Sequence, residues 1–330
     1  MILAGDVGGT KTILALFSAG ENGYVCVKKQ RYASADFATF NELLGLFLAN
    51  ANHPQVSVVS IGVAGPIVNG DCHATNLPWL LNRSEIGQCT RAQKVLLIND
   101  LEASAWGLLA LPEHQFVELN PNAEVLHGNH AVIAAGTGLG EAIMAWGGTK
   151  HHIIASEGGH SDFAPRNAQE IALLTFMLAK YPDHVSYERL VSGEGLVNIY
   201  RFLEQSGYAV ADVDIETQLL EQDAAAVIGK IGVAGSDALC VEALRLFCRL
   251  YGAEAGNLAL KCLPYAGVYL AGGIAAKILP VLKAGYFMDS FLAKGRCRQI
   301  LQRLSVKVCM EADVALLGAL DYALSRAVTL

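Results

Sequence analysis

The sequence predicts an α/β protein built from two paired domains, each opening on a glycine-turned hairpin. Three observations carry this. GDVGGTKT, Gly5 to Thr12, lies between the apolar runs MILA and TILALF. Much later GTGLGE, Gly136 to Glu141, lies between AVIAA and EAIMAW, so both glycine clusters read as strand–turn–strand units. The chain has 330 residues, 53% of them hydrophobic, enough to bury two cores.

After the first hairpin the pattern predicts a helix near Ala38 to Ala51 and strands at Val56 to Val63 and Lys94 to Ile98, the alternation expected of an α/β sheet. Asn69-Gly70 between apolar segments signals a tight hairpin turn. GLLALPEHQ after Trp106 reads as a helix ending ahead of Pro112, which puts the domain crossing near residue 110. The expected division is a smaller domain over 1–110, completed by a C-terminal helix at 312–330, and a larger domain over 111–311. In the larger domain Asn167 and Glu170 make a helix N-terminus before IALLTFMLAK. Val241, Leu244, Cys248, Tyr251, Ala255 and Leu258 mark one buried helical face, with Gly252 and Gly256 permitting close packing. The acidic run ADVDIETQLLEQD reads as a solvated helix start, and ADVALLGALDYALSRAV as an apolar helix returning to the first domain. The similar order of elements after each hairpin predicts two related halves.

Neither glycine loop fits the commoner nucleotide motifs. Thr10 stands where a Walker loop needs its second glycine, before Lys11 and Thr12. Gly136, Gly138 and Gly140 have the wrong spacing for a dinucleotide fingerprint and lead into a strand rather than a helix. What remains is a pair of tight turns whose N–H groups face an anion, with glycine expected to supply positive φ and close approach. An ATP clamp between paired domains follows.

A formal charge of -7 and no Lys/Arg cluster argue against nucleic acid or an anionic membrane as partner. Eight cysteines without a Cys-x-x-Cys pair, and an opening that passes directly from an apolar run to Gly5-Asp6, predict reduced thiols, no signal peptide and a cytoplasmic protein. Lys261 to Lys277, broken by Pro264 and Gly272-Gly273, is too short to span a bilayer.

Asn99-Asp100 follow the apolar run VLLI, at the carboxyl end of a strand, where α/β sheets place ligands. The same two residue types also cap helices, and LEASAWGLL follows. An aspartate there can orient a hydroxyl for in-line attack and accept its proton. In SEGGHSDFAP, Glu157 and His160 flank Gly158-Gly159, and a carboxylate beside an imidazole suits vicinal hydroxyls. The pair reads equally as polar residues of a surface turn. A metal site is disfavoured, since no cysteine lies near downstream.

Taken together these motifs resemble bacterial glucokinases, the ATP-dependent hexokinase branch of the sugar kinase, heat-shock ATPase and actin superfamily. The resemblance rests on GDVGGT (Gly5 to Thr10), INDLEA (Ile98 to Ala103), GTGLG (Gly136 to Gly140), EGGHSDFAP (Glu157 to Pro165), HVSYERLVSGEGLVNIYR (His184 to Arg201) and LAGGI (Leu270 to Ile274). It implies a two-domain actin-like ATPase (ribonuclease H-like) fold with the active site in the interdomain cleft. It further implies transfer of the ATP γ-phosphoryl group to the 6-hydroxyl of D-glucose, giving glucose 6-phosphate and ADP, the first step of glycolysis. Asp100 would be the general base, Asn99 would bind neighbouring hydroxyls, and Glu157, His160 and Glu188 would hold the other edge of the ring. Gly5, Asp6, Val7, Gly8, Gly9 and Thr10 would meet phosphate, Thr137 and Gly138 would complete the clamp, and Gly272 and Gly273 would face adenosine. Mg²⁺ would arrive with ATP, near Asp6 through water, with no metal site of the protein's own. A homodimer is implied as well. Glu194 replaces the proline frequent in the family's Ser-Gly-Pro-Gly, which adds a charge beside the sugar segment. No cysteine-rich zinc motif follows Gly159-His160, unlike the related repressor and sugar-kinase (ROK) family. Kinases for mannose, fructose or N-acetylhexosamine, and a non-catalytic sugar sensor or actin-like assembly protein, stay open as alternatives.

Overall fold

The computed structural model describes residues 1–21, 23–124 and 126–327. The chain divides into two compact units, Met1–Glu113 with Asp313–Leu330, and His114–Ala312.

In the first unit β1 (Ile2–Val7) pairs antiparallel with β2 (Lys11–Gly20), which pairs with β3 (Gly23–Ala33). On its other side β1 runs parallel to β4 (Val58–Val63), followed by β8 (Lys94–Asn99), so the order is β3-β2-β1-β4-β8. A small sheet of β5 (Ile67–Val68), β6 (Asp71–His73) and β7 (Leu80–Leu81) lies between. Its first turn is the expected Asn69-Gly70, at φ 53° and 88°. The helices are α1 (Phe40–Asn50), α2 (Arg83–Thr90), α3 (Asp100–Ala110) and, from the far end of the chain, α13 (Val314–Ala327). The last residues of the helix expected over 312–330, 328 to 330, lie outside the described residues.

Alternation along β1 and β2 sorts side chains to two faces. Leu3, Val7, Leu14 and Leu16 pack with Phe40, Leu43, Leu44 and Phe47 of α1. Ile2, Ala4, Ile13, Ala15 and Phe17 pack with Leu316, Ala319, Leu320 and Ala323 of α13. Gly5, in mid-strand, lets β1 approach its neighbours: a Cβ would lie 2.7 Å from Ile61 and 2.8 Å from Leu14.

The second unit repeats the plan. β10 (His130–Ala135) pairs antiparallel with β11 (Leu139–Trp146), which pairs with β12 (His151–Ser156), and β10 runs parallel to β13 (Gly267–Ala271), then β14 (Val306–Cys309). An edge strand, β9 (Phe116–Glu118), is added antiparallel to β14. The related halves expected from the two hairpins are thus visible as one strand order used twice. Helices α4 (Ala168–Lys180), α5 (Gly193–Gln205), α6 (Val213–Glu221), α7 (Ala224–Ala234) and α8 (Ala238–Cys262) fill the long connection. The short α9 (Gly272–Ala275), α10 (Leu279–Lys283), α11 (Tyr286–Leu292) and α12 (Arg298–Leu301) follow β13.

Helix α8 corrects the single-face expectation. Val241 is only half-buried, while Leu246, Phe247, Leu250, Ala253 and even Glu254 are buried. Packing against α5, α7, α11 and β10 covers it nearly all round. Gly252 and Gly256 meet the backbone of Phe287 and Phe291, so α11 lies directly on them. Among the described residues no single helix is long and apolar enough to cross a membrane.

Candidate active site

The first glycine loop closes with Gly8 N–H donating to the Lys11 carbonyl at 2.9 Å. Ser34 braces it from behind: its N–H donates to the Thr10 carbonyl, its hydroxyl to the Gly8 carbonyl, and it meets the buried Thr12 hydroxyl at 3.0 Å. In the second loop Gly136 N–H donates to the Gly138 carbonyl, and the Gly136 carbonyl accepts from Gly193 N–H at the start of α5. Among the described residues, no acceptor takes the N–H of Gly9, Thr10, Thr137 or Gly138. Thr10 and Thr137 are exposed, so these donors are open to an anion.

The reason for glycine differs from the expectation. None of Gly5, Gly8, Gly9, Gly136 and Gly138 lies at positive φ. What excludes a side chain is space: a Cβ on Gly9 would stand 2.8 Å from Asn76, and one on Gly138 would overlap the Glu188 carboxylate. Gly272 does need its left-handed backbone, at φ +83°, and a Cβ there would strike Ala135 at the end of β10. Gly273 faces open space.

At the carboxyl end of β8, Asn99 is the N-cap of α3. Its carbonyl oxygen accepts from Leu101 and Glu102 N–H, and its amide donates to the Gly65 carbonyl at 3.4 Å. The capping role weighed for both residues falls to Asn99 alone, and Asp100 begins the helix. One Asp100 carboxylate oxygen accepts from Leu101 N–H at 2.9 Å. Its charge reaches two neighbours in the same unit. Asp6, half-buried at the end of β1, is pushed up to about 6, first by burial and then by Asp100 and Asp313, against the pull of Lys11. Cys72 is pushed up to about 11, mainly by burial and next by Asp100.

The second unit brings Glu157, His160 and Glu188 together. A 3-10 turn at Gly158–His160 presents the imidazole between two carboxylates, with Nε2 4.0 Å from Glu157 and Nδ1 3.9 Å from Glu188. Glu188 sits in a second such turn, Tyr187–Arg189, and its Oε2 accepts from Leu139 N–H at 2.9 Å. The hydroxyl-type cluster is thereby bonded to the second glycine hairpin.

Glu194, the departure from the Ser-Gly-Pro-Gly pattern, leaves a regular helix start. Ser192 caps α5, and the Glu194 carboxylate takes bonds from Lys180, Tyr181 and Arg189. Burial acts to raise its pKa, but these partners together hold it below the usual carboxylate range. Ser34 and Asp313 were not legible as site residues: Ser34 reaches the first loop from the end of β3 through both its N–H and its hydroxyl, and Asp313 is brought to Asp6 by the return of α13. Among the described residues no three His, Cys, Asp or Glu form a group able to hold a metal ion.

Comparison with known proteins agrees with this geometry. The family model described as Glucokinase matches residues 3–326. A glucokinase of Trichormus variabilis is 40% identical, with 97% of each chain covered. The crystal structure of a glucokinase from an Antarctic psychrotroph superposes with a TM-score of 0.82 at 28% identity, covering 98% of each chain. A ROK family glucokinase from Streptomyces griseus shares the fold at a TM-score of 0.69 and 20% identity, covering 98% of this chain and 99% of that one. These neighbours have the two-domain actin-like ATPase fold that the doubled hairpin sheets predict. With two hairpins of matching topology, a strand-end aspartate and a match along nearly its whole length, the chain belongs to the glucokinase family.

Proposed function

We propose that the chain transfers the γ-phosphoryl group of ATP to the 6-hydroxyl of D-glucose, giving glucose 6-phosphate and ADP. The observation that carries this is the bond from the Leu139 N–H to Glu188, which joins a phosphate-type hairpin to a cluster suited to sugar hydroxyls. In this reading Asp100 orients the 6-hydroxyl and takes its proton as the phosphoryl group leaves ATP. Asn99 uses its amide hydrogens toward a neighbouring hydroxyl, since its carbonyl caps α3. Glu157 and Glu188 accept hydrogen bonds from ring hydroxyls, and His160 donates or accepts between them.

The open N–H groups of Gly9, Thr10, Thr137 and Gly138 meet phosphate oxygens as fixed dipoles that need no reorganisation when charge shifts toward the leaving group. Gly5 and Val7 hold the end of β1 against its neighbours and Gly8 closes the first loop, while Gly272 turns the backbone into α9 and the open space at Gly273 leaves room for adenosine. Asp6 fits a hard cation held through water, because a carboxylate raised to about 6 by burial gains from a nearby positive charge. Mg²⁺ brought with ATP would neutralise phosphate charge there. Since a loose phosphoryl-transfer transition state needs little covalent help, alignment supplies most of the acceleration. A cytoplasmic homodimer completes the reading, and sedimentation of the purified chain tests the pairing.

The deciding experiment compares glucose, mannose, fructose and N-acetylglucosamine as acceptors with MgATP, using Asp100→Ala as control. Turnover favouring glucose, and lost in the variant with sugar affinity retained, supports the assignment. Turnover persisting in Asp100→Ala removes the base, and preference for another sugar moves the substrate.

A further inference from the structure

Two carboxyl groups in the second unit have no part in the reaction as described, and both are buried. Glu141, on β11 just past the second glycine loop, is 2% exposed, and Glu254, in the middle of α8, is 0% exposed. They lie within hydrogen-bonding reach of each other. Among the described residues the Oε1 atom of each has no hydrogen-bond partner. Two ionised carboxylates cannot occupy such a site side by side, but one proton between them removes the repulsion.

The pair reaches both turns that carry the hydroxyl cluster, one directly and the other through Asn257. The backbone at Gly158 rests on Glu141, so that a Cβ there would come within 2.9 Å of its carboxyl carbon. Ser156 bridges the same region: its hydroxyl donates to the Glu141 carbonyl and accepts from Gly158 N–H. On the other side Glu254 accepts from Asn257 at 2.8 Å, and the same amide reaches the Tyr187 hydroxyl at 3.2 Å, next to Glu188. We propose that Glu141 and Glu254 share one proton and, while they share it, hold the 157–160 and 187–189 turns at the spacing that sugar hydroxyls require. They are positioning residues, and the inference rests on the sugar-kinase reading of Glu157, His160 and Glu188.

The groups facing the pair decide its direction. Lys261 is 4.0 Å from Glu254 and mostly exposed, and Lys294 donates to Asn257 and to the Ala253 carbonyl. Tyr187, Tyr251, Cys262 and the Arg166–Glu170 ion pair complete the surroundings. Burial, ahead of the repulsion from Glu254, lifts Glu141 to about 8, against the pull of Lys261. Burial also raises Glu254. The shared proton therefore persists at neutral pH and is lost as pH rises through about 8, after which like charges push the two turns apart.

The test has two arms. KM for glucose in the intact enzyme rises about tenfold between about pH 7 and about pH 9, as linkage to one proton near 8 requires, with a smaller change in kcat. Glu141→Gln and Glu254→Gln each keep an amide donor in place of the proton, and each abolishes that rise. A flat wild-type profile, or a rise that persists in both variants and so belongs to Lys294, which burial lowers to about 8, overturns the proposal. Infrared difference spectra supply the second arm, independent of turnover: a protonated carboxyl band persists above pH 7 in the wild type and disappears in Glu141→Gln. If no hexose is phosphorylated but the band behaves in this way, the sugar-kinase reading fails while the shared proton stands. If the band is missing, the shared proton fails whatever the substrate.

Discussion

Replacing Gly138 with alanine tests whether the phosphate hairpin and the sugar cluster work as one piece. The new Cβ would stand 3.3 Å from the Glu188 carboxyl carbon and closer still to Oε2, the atom that accepts from Leu139 N–H. The hairpin is pinned by the Gly193 bond and the β10–β11 ladder, so the partly exposed Glu188 side chain must yield. Losing a charge-assisted hydrogen bond costs about 1.5–3 kcal/mol, or roughly 10- to 150-fold, and a displacement of about 1 Å in a positioning group costs a similar factor in rate. We expect kcat/KM for glucose to fall by about 10²-fold in Gly138→Ala, with KM for glucose raised and the melting temperature lowered by several degrees. Steady-state kinetics varying glucose and ATP separately measure this, and a double-mutant cycle with Glu188→Ala assigns the cause. If the two costs simply add, or if Gly138→Ala leaves KM for glucose at the wild-type value, steric displacement of Glu188 is the wrong explanation.

Asp6, lifted from 3.8 to about 6, takes up its proton more readily folded than unfolded. Its contribution to stability is therefore full below about pH 3.8 and lost as pH rises through about 6. Asp6→Asn should stabilise the fold above pH 6 by roughly 2–3 kcal/mol while losing activity, and the gain should vanish near pH 4 in denaturation curves. In the wild type kcat/KM for MgATP should climb with an apparent pKa of about 6, and a profile level down to pH 5 would count against an ionised Asp6 at the phosphates. Gly318→Ala forces α13 from α3, since its Cβ would lie 2.8 Å from the Ala103 carbonyl carbon; overpacking of about 1–3 kcal/mol should appear as a lowered melting temperature. Glu194→Ala removes only partly exposed partners, so urea denaturation should register no more than about 1 kcal/mol, less at high salt, and a larger loss would mean that the cluster supports α5 more deeply.

The parts of the fold readable in advance are those governed by neighbours in the chain. Gly-rich turns between apolar runs, Asn69-Gly70 and the cap at Asn167, whose side chain accepts from Glu170 N–H, depend on a few adjacent residues. So does the placing of Asn99 and Asp100 at a strand end, although which of them caps the helix required the backbone itself. Glu254 could not be read in advance. A glutamate on a helix normally signals the solvated face, and here the packing around α8 and a second carboxyl close over it. The positive φ expected at the phosphate loops failed for a related reason. The constraint on Gly9 and Gly138 comes from Asn76 and Glu188, which no local pattern connects to them.

The return of α13 bears on how the protein is made. The face of the first sheet formed by Ile2, Ala4, Ile13, Ala15 and Phe17 has its cover supplied by residues 314 to 327. At ribosomal speeds the intervening chain takes on the order of tens of seconds to emerge. Throughout that interval the apolar face of the first sheet lacks the helix that covers it. The earliest residues synthesised are thus among the last to be sealed, and nascent chains stalled before residue 314 should be the species that chaperones hold.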